Sequence, residues 1–185
     1  METLKALHSR NSSSRLVDPA PSKEEMEQVY QAAFRAPDHA WLRPWKFIQV
    51  TGDSRNKLSG IFLETAKKLK GDISEELEAK YKSSPYRAPM VIVLISEIIE
   101  HPKVPSIEQI LSVGAATQNM LLALYDLGYG AIWRTGSMAF NKTITSVMKL
   151  SKNAEVIGYL YVGSIGNELK KLPDLNSNEF VTLWE

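Results

Sequence analysis

The chain has 185 residues, and its 22 lysines and arginines stand against 21 aspartates and glutamates, so the net charge at pH 7 is +1. This balance excludes the strong positive field with which proteins attract nucleic acid. The lack of cysteine in the sequence excludes disulfides, iron–sulfur clusters and a thiol nucleophile. A chain of this length can bury a proper core, and we expect one domain over residues 1–185.

The first segment predicts a short helix over residues 3–9 and then a polar run, Ser9-Arg10-Asn11-Ser12-Ser13-Ser14-Arg15. No apolar stretch typical of a secretory signal is visible, so we expect a cytoplasmic protein without a membrane segment. The polar run has two interpretations. It is a solvated linker, or its hydroxyl and guanidinium donors bind a phosphate.

The next segments alternate between helices and strands. Ser22 and Glu25 have the spacing of a capping box, which opens a helix through about Phe34. Pro37 forbids its continuation. Residues 45–50 alternate apolar and polar positions and predict a strand. A helix follows over about residues 54–70, and its predicted inward face consists of Leu58, Ile61, Phe62, Thr65 and Leu69. The continuous apolar run of residues 90–95 is typical of a central strand.

The residues from Ser106 to Gly136 predict a long buried helix, a stop, a short strand and a polar exit. Ser106 is a plausible N-cap, and Glu108 complements the helix dipole in the first turn. Apolar residues cover most of the circumference, so the helix must lie in a core or an interface. Its small face at residues 114–116 would admit a second backbone or a flat ligand. Gly128 suits a left-handed stop.

Beyond Gly136, Asn141 can cap a short helix to about Leu150. Residues 155–162 are strongly β-prone, and residues 180–184 predict a strand or an arm. Helices and strands therefore mix, without an internal repeat, in one α+β or α/β domain with a central sheet.

The sequence has none of the motifs by which a protein does difficult chemistry with its own side chains. Gly128-Tyr129-Gly130 stands after a helix and before a strand, the reverse of a dinucleotide-binding turn. His8, His39 and His101 lack the spacing of metal ligands, so we expect no metal site. If the protein is an enzyme, a bound cofactor is expected to carry the chemistry.

Five segments resemble the nitroreductase family of FMN-dependent oxidoreductases, and most closely its compact, YdjA-like branch. Their order and spacing together are more specific than any one of them. The segments are Arg10 to Leu16, Arg35 to His39, Pro44-Trp45, Arg87 to Pro89, and Gly130 to Arg134.

The resemblance implies an α+β fold with a central, mostly antiparallel sheet flanked by helices. It also implies a homodimer with FMN at the subunit interface, where the helix over residues 107–127 packs against its twin. Arg10, Asn11 and Ser12 would then hold the phosphate and ribityl end of FMN. Arg35 and His39 would reach the flavin from the partner subunit, and Trp133, Arg134 and Thr135 would line it from the strand after the long helix.

Three of these residues have a plain structural interpretation as well. Trp133 packs beside the flavin ring or fills the core. His39 contacts the ring or is a loop histidine bonded to backbone. Arg35 reaches the flavin or is a cation at a helix C-terminus, where it complements the dipole.

Two positions depart from the pattern of the family. Larger members carry a basic residue two positions after the motif serine, near the flavin pyrimidine edge, and Ser14 stands there in this sequence. The second basic residue of the compact motif is replaced by Asn11, and Lys170-Lys171 in the tail would compensate for it. The residue that supplies charge near the ring is therefore left open by the sequence.

The function implied is an oxidoreductase that alternates two half-reactions. NADH or NADPH reduces FMN and leaves. An electron-poor acceptor such as a nitroaromatic or a quinone then takes the place of the nicotinamide and is reduced, without a catalytic acid or base from the protein. The alternative is a dimeric flavin-binding carrier or sensor with little turnover. A nucleic-acid or partner-binding module that uses the Arg/Ser loop is a third possibility, against which the near-neutral charge argues.

Overall fold

The computed structural model describes residues 2–168 and 170–184. In chain order the helices and strands are α1 Thr3–Ser9, β1 Leu16–Val17, α2 Lys23–Ala33, β2 Trp45–Thr51, α3 Ser54–Lys70, α4 Glu75–Ser83, β3 Met90–Glu97, α5 Ser106–Asp126, β4 Gly130–Arg134, α6 Lys142–Val147 and β5 Ala154–Ile165. Short 3-10 turns lie at His39–Trp41, Ser84–Arg87, Gly136–Met138 and Ser177–Glu179. No helix among the described residues is long and apolar enough to cross a membrane.

The five strands form one sheet in which every pairing within the described residues is antiparallel. The path of the sheet is β1-β5-β3-β2, and β4 also pairs with β5, with Gly130 opposite Gly163 and Arg134 opposite Tyr159. The predicted α+β fold with a mostly antiparallel sheet is confirmed.

The sheet has a hydrophobic core on each face, because side chains alternate along a strand. On β3, Val91, Val93 and Ile95 belong to the core that includes Leu58 and Phe62 of α3. Met90, Ile92 and Leu94 point to the other core, which includes Met26 of α2 and Met120 of α5. Burial on both faces explains why the sequence of β3 is apolar at every position from residue 90 to 95.

The predicted capping box of α2 is present. The Ser22 hydroxyl accepts a hydrogen bond from the Glu25 backbone N–H, and the Glu25 carboxylate accepts one from the Ser22 N–H at 2.7 Å. Glu25 also accepts a hydrogen bond from the Tyr129 hydroxyl. These hydrogen bonds lower the pKa of Glu25, and the bond from the Ser22 N–H has the largest effect. The start of α2 is therefore tied to the residue that precedes β4.

The long helix α5 has the predicted length, but its start differs from the prediction. Pro105 is the N-cap and Ser106 is the first helical residue, so the prediction of a Ser106 cap is wrong. Gly128 has the predicted left-handed conformation, with φ of 88°. Gln109, although polar, is buried because its amide bonds the N–H and C=O of Ile99.

Two smaller predictions are also wrong, and of the strand or arm predicted over residues 180–184 the strand is absent. Leu69 is 41% exposed, and Ala66 takes the inward position near the end of α3. The helix after Asn141 ends at Val147 instead of about Leu150, although the predicted cap is present, since the Asn141 side chain accepts the Ile144 N–H. Residues 180–184 form no strand within the part that the structure describes, because no neighbouring strand pairs with them.

Candidate functional site

The polar loop after α1 lies against β4. The buried Ser13 donates its backbone N–H to Ala131 O at 3.1 Å, and its hydroxyl donates to Arg15 O at 3.1 Å. Since successive residues of an extended chain point to opposite sides, Ser12 and Ser14 remain exposed. The loop is therefore a fixed part of the fold, and its free hydroxyl groups point away from the core.

A cavity of about 180 Å³ separates this loop from β4 and the C-terminal segment. It is lined by Asn11, Ser12, Ser14, Ile132, Asn167, Glu168 and Lys170. The Asn11 amide donates to Lys170 O at 2.6 Å and accepts the Ser12 N–H at 2.8 Å, which holds the tail beside the loop. The Arg10 Nη1 is buried and has no hydrogen-bond partner. A buried guanidinium N–H without an acceptor is rare, and such a donor is suited to bind an anionic ligand.

A larger cavity of about 480 Å³ opens at the other end of β4. It lies between α4, β5 and the turn that follows β4, and is lined by Phe62, Lys80, Tyr81, Ser84, Arg87, Trp133, Arg134, Thr135, Gly136, Ser137, Met138, Tyr159 and Tyr161. The lining combines aromatic rings, hydroxyl groups and cations, which suits a polar, planar ligand.

The larger cavity is positively charged. Lys80, Arg87 and Arg134 line it, and no carboxylate is among its described lining residues. The Arg134 guanidinium lies 5.8 Å from the centre of the Tyr161 ring, and its Nε is buried without a partner. Burial raises the pKa of the Tyr161 hydroxyl, and the charges of Arg87 and Arg134 act in the opposite direction. A neutral tyrosine and unpaired cations favour an electron-rich or anionic ligand.

The two cavities lie along the same face of β4. Ile132 lines the smaller cavity and Arg134 the larger one, and residues two apart on a strand share a face. A ligand with an anionic group at one end and a flat ring at the other can therefore extend from the Arg10 loop to Arg134.

Trp133 serves chiefly as a packing residue. Its indole fills the space beside Gly158 and Gly114, and a Cβ at Gly158 would lie 2.2 Å from the indole Nε1. The small face of α5 at Gly114 is therefore covered by the Trp133 ring of the same chain. This supports the core interpretation of Trp133, although its ring edge also lines the larger cavity.

Arg35 and His39 lie apart from both cavities. Arg35 follows Phe34, the C-cap of α2, and its guanidinium forms no hydrogen bond or ion pair within the described residues. The His39 Nδ1 lies 2.8 Å from the Glu108 carboxylate of α5, so the interpretation of a histidine bonded to backbone is wrong. A single chain thus places Asn11 and Ser12 at the smaller cavity, and Trp133, Arg134 and Thr135 at the larger one. Arg10 lines neither cavity but stands next to Asn11 in the same loop, and Arg35 and His39 lie elsewhere.

Sequence analysis places Arg87 in a family motif without a role and does not identify Lys80. Both line the larger cavity beside Arg134. The available signal was the position of Arg87 immediately before Ala88, Pro89 and a central strand, where the chain enters the sheet at the edge of a cavity.

Comparison with known proteins gives consistent matches over most of the chain. The model of the nitroreductase family matches residues 7–164. The putative NAD(P)H nitroreductase YdjA of Escherichia coli K12 is 33% identical over 164 residues, which cover 89% of this chain and 88% of that protein. A putative NAD(P)H nitroreductase of Haemophilus influenzae is 32% identical, over 98% of this chain and 99% of the relative.

Solved structures share the fold. A nitroreductase-like family protein from Bacillus cereus superposes with a TM-score of 0.84 at 22% identity, covering 100% of this chain and 97% of the other. A nitroreductase with bound FMN from Bacteroides fragilis has a TM-score of 0.75 at 19% identity, with complete coverage of both chains.

Proposed function

Because this chain belongs to the nitroreductase family, we propose that it is an FMN-dependent oxidoreductase. It takes reducing equivalents from NADH or NADPH and passes them to electron-poor acceptors such as nitroaromatics and quinones. The observation that carries the proposal is a pair of buried guanidinium nitrogens without partners, one on Arg10 in the loop that lies against β4 and one on Arg134 at the end of β4. Relatives named NAD(P)H nitroreductases and a solved relative with bound FMN support it.

The loop end of β4 fits the phosphate of FMN. Arg10 supplies unpaired N–H donors, Ser12 supplies an exposed hydroxyl, and Asn11 holds both the loop and Lys170 in place. Lys170 lines the same cavity, so it is suited to replace the charge that Asn11 lacks. A charge-assisted hydrogen bond of this kind contributes about 1.5–3 kcal/mol.

The larger cavity fits the flavin ring. Trp133, Arg134 and Thr135 line it, and Arg87 and Lys80 provide the charge for which the sequence offered no residue. When bound, FMN supplies the redox chemistry, accepting a hydride from the nicotinamide and passing electrons to the second substrate in alternating half-reactions. The protein contributes fixed positive charge where negative charge develops, so no catalytic acid or base is assigned.

A second copy of the chain would complete this site. Arg35 and His39 are exposed and face away from their own cavities, and Glu108 holds the imidazole of His39 through its Nδ1. The outer face of α5 presents Ile107 and Leu111, which are 57% and 64% exposed. If α5 packs against its twin across a two-fold axis, this apolar face is buried and Arg35 and His39 approach the cofactor of the partner.

The test of the redox function is a reductive titration. The purified protein is expected to show flavin absorption, or to take up added FMN, and to be bleached by NADH or NADPH in the absence of oxygen. Addition of a quinone should restore the absorption. A protein that binds no FMN would overturn the proposal.

The alternative function is a flavin-binding carrier or sensor. It predicts FMN binding with very slow bleaching by both nicotinamides, so the same titration separates it from an enzyme. The two cavities along β4 and the unpaired cations are common to both functions, so FMN binding alone does not separate them and the rate of bleaching does.

A further inference from the structure

The segment between α2 and β2 contains an exposed tryptophan on a strained backbone. Ala40, Trp41 and Arg43 have φ angles of 59°, 56° and 51°, a conformation that costs a residue other than glycine on the order of 1 kcal/mol. The Trp41 side chain is nevertheless 78% exposed, so no burial within the chain repays this cost. Strain of this kind is commonly kept where it positions a side chain for function.

Further contacts fix the geometry of this segment. The Arg43 backbone N–H donates to the Asp38 carboxylate at 2.7 Å, and the Arg43 guanidinium lies 5.7 Å from the centre of the Trp41 ring. The ring and the cation therefore stand side by side as one unit. The arginine is held by a cation–π contact and not by an acid, since its guanidinium has no ion pair within the described residues.

The unit borders a cavity of about 230 Å³. Its walls are Phe34, Arg35, Ala36, Asp38, Trp41, Arg43 and Trp45. Asp38, the one acid among them, already accepts the Arg43 N–H. Two arginines whose guanidinium groups have no ion pair within the described residues, and three aromatic rings, thus surround a single space. That combination binds a planar ring through stacking and an attached anion through bidentate hydrogen bonds.

We propose that Trp41 and Arg43 form a recognition site for a planar aromatic group that carries an anionic substituent, on a substrate of the flavin site. This inference rests on the proposed function, because Trp41 belongs to the same 3-10 turn as His39, which would face the cofactor of the partner. Such chemistry has two sources: the phosphorylated adenosine end of the nicotinamide coenzyme, or an aromatic acceptor that bears a carboxylate.

The test measures binding of unreactive probes to the FMN-loaded protein by isothermal titration calorimetry. Adenosine 2′,5′-bisphosphate represents the coenzyme and benzoate the acceptor, with adenosine and benzamide as uncharged counterparts. Arg43→Gln is expected to weaken one charged probe about 10-fold and leave its uncharged counterpart unchanged. Trp41→Gly should weaken both members of that pair about 5- to 10-fold, because it removes the ring.

The variants are matched by controls. Lys57→Gln removes an exposed cation of α3, which packs on the opposite face of the sheet from Ala36 and Trp45 of this cavity, and it should leave every probe unchanged. Trp41→Gly also relieves a left-handed φ, so its melting temperature should equal or exceed that of the unchanged protein. A variant that binds its probe poorly while melting later cannot owe the loss to misfolding.

The two sources are distinguished by which probe responds. Loss of adenosine 2′,5′-bisphosphate binding assigns the site to the coenzyme, and loss of benzoate binding assigns it to the acceptor. Unchanged binding of both charged probes in both variants would overturn the inference, as would dissociation of the protein into monomers by Trp41→Gly, since Trp41 would then be an interface residue. In either case normal FMN content and normal bleaching would leave the proposed function standing.

Discussion

The two faces of α5 are both apolar, yet they end in different surroundings. On the inner face Val113, Ala116 and Leu124 are fully buried against the sheet and α2. On the outer face Ile107 and Leu111 remain more than half exposed. A surface helix normally carries polar residues on its outer side. The inner face thus completes the fold of one chain, and in the proposed dimer the outer face packs against the same helix of the second chain.

The largest effect is expected on the outer face. Leu111→Arg places a charge in the contact and, by two-fold symmetry, places it there twice, so it should weaken association by at least about 3 kcal/mol per subunit. Sedimentation equilibrium should then show a monomer that still melts cooperatively. Lys103→Gln is the control for altered charge. If the Leu111→Arg protein had the same molecular mass in solution as the unchanged protein, the outer face of α5 would not be the dimer contact.

The inner face should affect folding itself. Leu124→Ala leaves a cavity in the core between α5 and the sheet and should lower the free energy of unfolding by about 2–5 kcal/mol. Urea unfolding measures this directly. The comparison with Leu111→Ala is informative because the same change on the outer face should scarcely alter the stability of the separated subunit.

Binding of the FMN phosphate can be tested independently of the two faces of α5. Arg10→Ala should lower the affinity for FMN by about 1.5–3 kcal/mol, because it removes the buried N–H donors. The melting temperature should fall only when FMN is present, by mass-action linkage. Fluorescence titration of FMN measures the affinity, and Arg15→Ala provides an exposed arginine of the same loop as the control. Unchanged flavin affinity would remove Arg10 from the site.

The smallest effects on stability are expected from two glycine substitutions, one beside the Trp133 indole and one on the surface of α3. Gly158→Ala drives a Cβ into the Trp133 indole at a backbone φ of 148°, and should cost about 1–3 kcal/mol. Gly60→Ala in α3 meets no atom within 4 Å and should instead stabilise the protein by about 0.5–1 kcal/mol. Thermal unfolding of the two variants compares them. Equal melting temperatures would show that Trp133 is not tightly packed.

The sequence predicted those elements whose cause is local. The capping box of Ser22 and Glu25 located α2, and continuous burial made β3 recognisable from its apolar run. The N-cap of α5 was misplaced by one residue because Pro105 and Ser106 both suit a helix start. The packing of Trp133 against Gly158 could not be predicted, since it depends on the register of β4 against β5.

The candidate site was predictable in part for the same reason. Arg10, Ser12 and Arg134 are predicted from the family resemblance. Ser12 lines the smaller cavity and Arg134 the larger one, and Arg10 stands two residues before Ser12 in the same loop. The roles of Lys80 and Arg87 depend on where α4 and β3 meet the larger cavity, which no local pattern specifies. The left-handed backbone conformation at Trp41 could not be predicted either, because no glycine stands at that position.

In the proposed dimer, each FMN site takes Arg10 from one chain and Arg35 from the other. Complementation tests this arrangement: chains carrying Arg10→Ala and Arg35→Ala are co-expressed with different tags, and the mixed dimer is purified through both. One of its two sites then holds both substitutions and the other holds none. We expect the mixed dimer to bind FMN tightly at half of its sites, while both parent dimers bind weakly. Uniformly weak binding in the mixed dimer would show that the two arginines do not belong to a site shared between subunits.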